Sequence, residues 1–288
     1  MTEARLGEPV LPVSEPARRR DPLGTLRLVF IAFVLAVMTV VLGPLQILAI
    51  RRGWPLARRL PFVWHRVAAR LIGLRLHISG APAEGRPLLI VANHQSWADI
   101  VALGAVMPLS FIAKSEVGTW PVFGLLAKLQ RTTFVEREAR GRTGEQADAI
   151  GERLNAGDAM VLFAEGTTSD GNRVLPFKTA LFGAAQASLR RSGKEAVSVQ
   201  PVSIAYTKAN GMAMGRYGRP LAAWPGDVEL GPHLLAFLRE GAVDAEIRFG
   251  EPILFDAKSD RKAVARRCET VVSALLLRSL RGCDESIR

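Results

Sequence analysis

The sequence predicts an α/β fold: one mixed-sheet domain with helices on both faces, preceded by an N-terminal membrane-embedded helical segment. Three observations carry this expectation. Runs of β-forming residues near Leu88, Phe111, Thr133, Met160, Val199 and Ile247 alternate with helical patterns near Val101, Phe123, Glu145, Lys178 and Val264, as a single α/β unit requires. Leu28 to Ile50 is an uncharged apolar run of 23 residues. As a helix it covers about 35 Å, against a bilayer core of about 30 Å. The formal charge of +11 is uneven, because residues 1–80 hold twelve arginines against four acids.

In chain order, residues 1–27 read as a disordered basic tail. The first twenty are rich in Pro and Arg and have no apolar periodicity, so they bury too little to order themselves. Residues 28–75 read as membrane-embedded and interfacial helices. The apolar run starts too late and is too long for a cleaved signal peptide. Gly43-Pro44 interrupts it, and Arg18, Arg19, Arg20 and Arg27 precede it while Arg51, Arg52, Arg58 and Arg59 follow. Basic residues on both flanks suit a single span and a re-entrant hairpin alike. Trp54 to Leu71 reads as an interfacial helix after a start at Pro61, with Trp64, Val67, Ala68 and Leu71 on one stripe and Arg59, Arg66 and Arg70 on another. Such a helix lies on anionic lipid, or else packs its apolar stripe on the domain. Residues 76–288 read as the α/β domain itself, expected on the cytoplasmic face of the cell inner membrane.

Within that domain, Leu88 to Val91 is a short apolar strand, and a helical pattern begins near Ser96 and continues through Val101, Leu103 and Val106. His94 therefore lies on the strand-to-helix turn, with Ser96 as a cap and Asp99 in the first helical turn or just beyond. On one continuous helix, residues five apart point about 140° away from each other. The two side chains meet only if His94 precedes the helix. A carboxylate on one ring nitrogen then fixes the tautomer and leaves the other to take a proton.

A second segment repeats this architecture. Met160 to Ala164 reads as a buried strand ending in Glu165-Gly166-Thr167, where charge and a flexible glycine leave the sheet at its carboxyl edge. Ligands of open α/β sheets bind at that edge. A third strand, Thr132 to Glu136, delivers Arg137 at its end, and the guanidinium fork suits phosphate or carboxylate.

Asn93-His94-Gln95-Ser96-Trp97-Ala98-Asp99, Phe134-Val135-Glu136-Arg137, Phe163-Ala164-Glu165-Gly166-Thr167 and Val199-Gln200-Pro201-Val202-Ser203-Ile204 resemble, in order, the four blocks of the glycerolipid acyltransferases, in particular the 1-acylglycerol-3-phosphate acyltransferases. The resemblance spans roughly residues 60 to 255. It implies that His94 deprotonates an acceptor hydroxyl, which attacks the thioester of acyl-CoA or acyl-carrier protein, while Asp99 orients His94. It further implies that Arg137 and Glu165-Gly166-Thr167 hold the acceptor head group and that Lys114 is a basic position near it. The implied product is phosphatidic acid.

Two departures matter. The glutamate-glycine-threonine turn is usually preceded by proline and followed by arginine, whereas this chain has Ala164 and Thr168. The missing arginine weakens a phosphate acceptor, although Arg173 supplies a charge five residues on. Thr168 to Lys178 also resembles bacterial acyltransferases that act on lyso-ornithine lipid, whose head group carries a carboxylate and an amine. That acceptor is the alternative reading, and a non-catalytic lipid-binding module of the same fold is the second.

Composition separates these readings from others. The arginines flank apolar sequence rather than interleave with aromatics, which argues against nucleic acid as a partner and for membrane lipids. Cys268 and Cys283 lack metal-ligand spacing, and no metal or cofactor beyond the acyl donor is expected. His65, His77 and His233 lack charged neighbours in sequence and read as structural or exposed.

Overall fold

In a computed structural model of the protein, residues 22–136, 143–192, 195–226 and 228–282 are described. The chain opens with helix α1, Pro22–Arg51. The helix begins six residues before the apolar run, and it continues through Gly43-Pro44 instead of turning there. The chain reverses at Gly53, whose φ of +64° suits a residue without Cβ, and α2, Leu56–Leu71, returns beside α1.

Pro61 lies inside α2, not at its start. A proline there removes the N–H that the carbonyl four residues earlier needs. Gln46 of α1 supplies the substitute, its Nε2 donating to the Ala57 carbonyl at 3.0 Å and to the Leu129 carbonyl at 2.7 Å. The apolar stripe of α2 faces the domain, with Ala57, His65, Ala68 and Ala69 buried, while Arg59, Arg66 and Arg70 are exposed. The packed alternative therefore describes this helix. The opposite holds for α1, whose Phe30, Phe33, Val37, Val40 and Val41 are exposed. It is long and apolar enough to cross a membrane. It is also fastened to the domain at both ends: Arg27 donates to the Gly241 carbonyl at 2.8 Å, and Gln46 holds the other end.

Among the described residues, nine strands form one mixed sheet: β1 (Leu74–Ser79), β2 (Leu88–Ala92), β3 (Ser110–Lys114), β4 (Thr133–Val135), β5 (Ala159–Phe163), β6 (Ala196–Ala209), β7 (Met212–Ala213), β8 (Val243–Phe249) and β9 (Ile253–Asp256). Their order is β1-β8-β6-β2-β5-β3-β4, with β7 and β9 also pairing with β6. Neighbours from β6 through β2, β5 and β3 to β4 are parallel, and β6 runs antiparallel to β8 and β9. The sequence expectation lacked β1, β7 and β9. It also lacked helix α7 (Leu230–Glu240), and β1 begins at Leu74, inside the span assigned to the membrane helices.

Alternation along β2 divides the core. Leu88, Ile90 and Ala92 pack with Ala98, Ala102 and Leu103 of α3 (Ala98–Gly104), Ala69 of α2, Phe237 of α7 and Ile31 of α1. Leu89 and Val91 pack on the other face with Ile150 and Leu154 of α5 (Thr143–Asn155), Ala185 of α6 (Gly183–Ser192) and Val264, Cys268 and Val272 of α8 (Arg261–Arg281). This is the expected arrangement, with helices on both faces. The parallel strands β2, β5 and β3 end together, which brings His94, Glu165 and Lys114 to one edge of the sheet.

Candidate active site

The loop Asn93 to Trp97 leaves β2 and is clamped onto β6 before α3 begins. The Asn93 side chain donates to the Ile204 carbonyl at 3.0 Å and accepts from its N–H at 2.8 Å, and Gln95 Nε2 donates to the same carbonyl. These bonds fix the level at which His94 emerges. Ser96 Oγ accepts from Ala98 N–H at 3.3 Å, and Asp99 falls in the first turn of α3.

His94 Nδ1 lies 2.8 Å from Asp99 Oδ2. The same oxygen accepts from the N–H groups of Gln95 at 2.8 Å and Ser96 at 2.9 Å, and Oδ1 accepts from the Tyr206 hydroxyl at 2.7 Å. The Tyr206 oxygen in turn has the Ser96 hydroxyl as a partner. Asp99 is wholly buried. A buried carboxylate surrounded by donors acts as an acceptor, so His94 Nδ1 carries the proton and Nε2 offers its lone pair. The imidazole is one-fifth exposed and stacks on Phe163, ring centroids 4.0 Å apart at 15°. One face is held by the core while the ring edge reaches solvent.

The second expected segment closes over the first. Glu165 Oε1 accepts from the His94 N–H at 3.4 Å, and the Ser169 N–H donates to the His94 carbonyl at 2.8 Å. Gly166 takes φ +74°, the left-handed turn that a Cβ would strain. At Gly171, also φ +74°, a Cβ would stand 2.3 Å from Gln95 Oε1, so this loop presses directly on the histidine loop. Glu165 is 2% exposed, with Oε2 buried and unpartnered. Burial, opposed by the backbone N–H groups of His94 and Leu175 and reinforced by Asp99 and Asp170, pushes its carboxyl up to about 9.

That shift has a consequence for stability. The folded chain keeps a proton that the unfolded chain releases near 4.5, so this contribution is fully present below that pH and is lost as pH rises toward 9. The melting temperature of the wild type should fall between pH 6 and 9, and Glu165→Gln should flatten that fall. Parallel slopes in thermal denaturation across the range contradict the assignment.

Thr167, Lys114 and Arg173 are exposed. Lys114 ends β3 at the same edge as His94. Arg173 lies on the loop that follows Glu165, where it and Arg216 act on the Asp170 carboxylate; burial raises that group, but bonds from Asn172 and these two arginines hold it below its usual range. Arg137 lies outside the described residues. Sequence reasoning missed Tyr206, which β6 brings to Asp99, and Gln95, whose side chain bonds the Ile204 carbonyl on β6.

The other three histidines have partners that the sequence did not reveal, and His65 Nε2 faces Gln130 Oε1 at 2.8 Å. His77 Nε2 meets Asp244 Oδ1 at 2.7 Å across β1 and β8, contrary to the expectation that it lacked a charged partner. His233 Nδ1 accepts from Trp97 Nε1 at 3.1 Å, its Nε2 facing the Ala223 carbonyl at 3.0 Å. Cys268 is buried, and its thiol is pushed up to about 12, which removes it as a nucleophile at neutral pH.

A family model described as Acyltransferase matches residues 74–205. A protein of Brucella abortus named lyso-ornithine lipid O-acyltransferase is 59% identical over 262 residues, 90% of this chain and 97% of that one. A Rhizobium meliloti protein of the same name is 48% identical over 260 residues, 90% and 89% of the two chains. A 1-acyl-sn-glycerol-3-phosphate acyltransferase of Neisseria gonorrhoeae is 43% identical over 121 residues, 41% and 46% of the two chains. The crystal structure of a 1-acyl-sn-glycerophosphate acyltransferase from Thermotoga maritima superposes with a TM-score of 0.61 over 88% of this chain and 95% of that one, at 22% identity.

Proposed function

We propose that this chain, which belongs to the acyltransferase family and is an acyltransferase, moves a fatty acyl group from an acyl thioester to the hydroxyl of lyso-ornithine lipid. The observation that carries the acceptor is the near full-length likeness to proteins of that name, whereas likeness to the glycerol-phosphate enzyme spans less than half of each chain. The lyso-ornithine alternative therefore replaces phosphatidic acid synthesis as the main reading.

The site is consistent with that choice. Thr168 stands where the resemblance expects a phosphate-binding arginine, and the same loop carries both charge signs, Asp170 and Arg173, with Arg216 acting on Asp170 from the turn after β7. A head group with a carboxylate and an amine matches such a pair. Lys114, Arg137, Glu165, Gly166 and Thr167 complete the proposed acceptor-binding set.

In the proposed reaction His94 Nε2 accepts the proton of the acceptor hydroxyl as its oxygen bonds to the thioester carbonyl carbon. The imidazolium is stabilised by Asp99. As the tetrahedral centre collapses, the C–S bond breaks, and the departing thiolate of CoA or acyl-carrier protein receives the proton from His94. The thioester is already activated, so positioning and a base suffice for rate. Membrane lipids are the setting: the exposed apolar face of α1 enters the bilayer while its two tethers keep the domain beside it, on the cytoplasmic face of the inner membrane.

Expression in a bacterial host that accumulates lyso-ornithine lipid tests this reading. Conversion of that pool to ornithine lipid, seen in extracted lipids, is the expected result. An unchanged pool, with the protein present in the membrane fraction, contradicts it.

A further inference from the structure

Helix α4 (Phe123–Leu129) packs on α1 with only part of its apolar stripe. Leu125, Leu126 and Leu129 are spaced so that they share one side of the helix. Leu126 and Leu129 border a cleft against Leu42, Gly43 and Gln46 of α1, and a Cβ at Gly43 would stand 3.8 Å from Leu129 Cδ1. Toward its amino end the stripe leaves α1. Leu125 is 53% exposed, and Val122, whose carbonyl accepts from the Leu126 N–H at 2.9 Å, is 67% exposed. Trp120 and Pro121 before it are exposed as well.

Two features separate this segment from ordinary surface. Val122 holds φ +61°, a left-handed conformation that a β-branched residue rarely takes. Strain of that kind persists where another interaction offsets it, yet most of this side chain faces outward. The second feature is continuity with α1. Val40, Gly43 and Ile47 share one side of that helix by the same spacing, so the side that meets Leu129 also carries the exposed Val40 and Ile47. The outward apolar surface of α1 therefore continues onto Leu125 and Val122. A contiguous apolar surface marks a membrane or partner contact, where scattered exposed residues do not.

The segment lies toward the catalytic edge of the sheet. Strand β3 ends there at Lys114, a 3-10 turn Ser115–Thr119 follows, and α4 leads back to the start of the parallel strand β4. We propose that Trp120 to Leu125 inserts into the bilayer beside α1, as a second membrane contact that holds the catalytic edge at the lipid surface. Continuity with the face of α1 selects lipid as the occupant. Trp120 suits the head-group level, where an indole has both apolar and polar surroundings, and Val122 and Leu125 reach the acyl chains below it. Insertion takes their exposed surface out of water, which offsets the strain at Val122. On the acyl-transfer reading above, an acceptor whose chain stays in the leaflet then presents its hydroxyl at the level of His94.

The test uses the full-length protein, exchanged from detergent into phosphatidylcholine vesicles. Cys268 is buried and Cys283→Ser removes the other thiol, so Leu125→Cys takes a single nitrobenzoxadiazole label. A matched label at Leu277→Cys, exposed on α8 across the sheet from α1, is the control. An inserted segment lies about 5–10 Å into the boundary between head groups and acyl chains, so the label at 125 should lose about half of its emission or more to brominated acyl chains and should resist aqueous iodide. The label at 277 should respond to iodide alone. If the labelled variant does not fold, bromine quenching of the native indoles carries the comparison, with a smaller fraction quenched in Trp120→Phe than in the wild type. Iodide quenching at 125 equal to that at 277 overturns the contact, as does an equal quenched fraction in wild type and Trp120→Phe. A label at 125 shielded from both quenchers shows that a second copy or another protein covers the surface, and overturns the lipid assignment.

Discussion

Replacing His94 with alanine lowers the rate of acyl transfer by about 10²–10⁴-fold, the contribution of a positioned base, and leaves the protein folded and membrane-bound. The imidazole is one-fifth exposed and its ring contributes no bond to the sheet. The backbone contacts of the loop, from His94 N–H to Glu165 and from Ser169 N–H to the His94 carbonyl, survive the substitution. Loss therefore falls on turnover, with little change in the KM for either substrate. Single-turnover measurement with labelled acyl thioester separates the two, and wild-type turnover in the variant removes His94 as the base.

Asp99→Asn should do comparable damage to rate and additional damage to stability. Four donors converge on this carboxylate: His94 Nδ1, the Gln95 and Ser96 N–H groups, and the Tyr206 hydroxyl. An amide offers one oxygen to them and turns its own N–H groups on the rest. At least one buried donor loses its partner, at a cost on the order of 3 kcal/mol. The imidazole also loses the group that fixes its tautomer, and a fall in kcat of about 10²–10⁴-fold is expected. Tyr206→Phe is the control, because it removes only the Oδ1 donor and keeps the His94 contact. Its rate should stay within about ten-fold of wild type, one lost hydrogen bond of about 1 kcal/mol. Equal losses in Asp99→Asn and Tyr206→Phe indicate that Asp99 acts only as a structural anchor.

The pair itself was legible because His94 and Asp99 lie on one short segment whose strand, turn and helix all follow from local pattern. Tyr206 was not, being 107 residues from Asp99 and brought to it only by the parallel pairing of β2 with β6. The same limit hid Gln46. A proline inside α2 is compatible with the helix only because a side chain from α1 bonds the Ala57 carbonyl, so the local rule placed the helix start at Pro61. For α2 the apolar stripe was visible, but lipid and protein core ask for the same stripe, and only the packing against α1 and α3 decides between them. The edge strand β1, Leu-Arg-Leu-His-Ile-Ser, alternates apolar and polar residues strictly, a pattern passed over when the membrane helices are taken to end at residue 75, and its partner β8 lies far along the chain. His77 found Asp244 through that pairing. The acceptor was the least legible feature, since it depends on which few charges line the Glu165 loop.

The central claim is that His94, held by Asp99, transfers an acyl group to lyso-ornithine lipid. Purified protein in detergent, given a labelled acyl thioester with lyso-ornithine lipid and lysophosphatidate in parallel reactions, tests it most directly, with His94→Ala as control. The predicted result is labelled ornithine lipid from the wild type, much less label on lysophosphatidate, and neither product from the variant. Label on lysophosphatidate with none on lyso-ornithine lipid contradicts the acceptor, and product from the His94→Ala variant at the wild-type rate contradicts the mechanism.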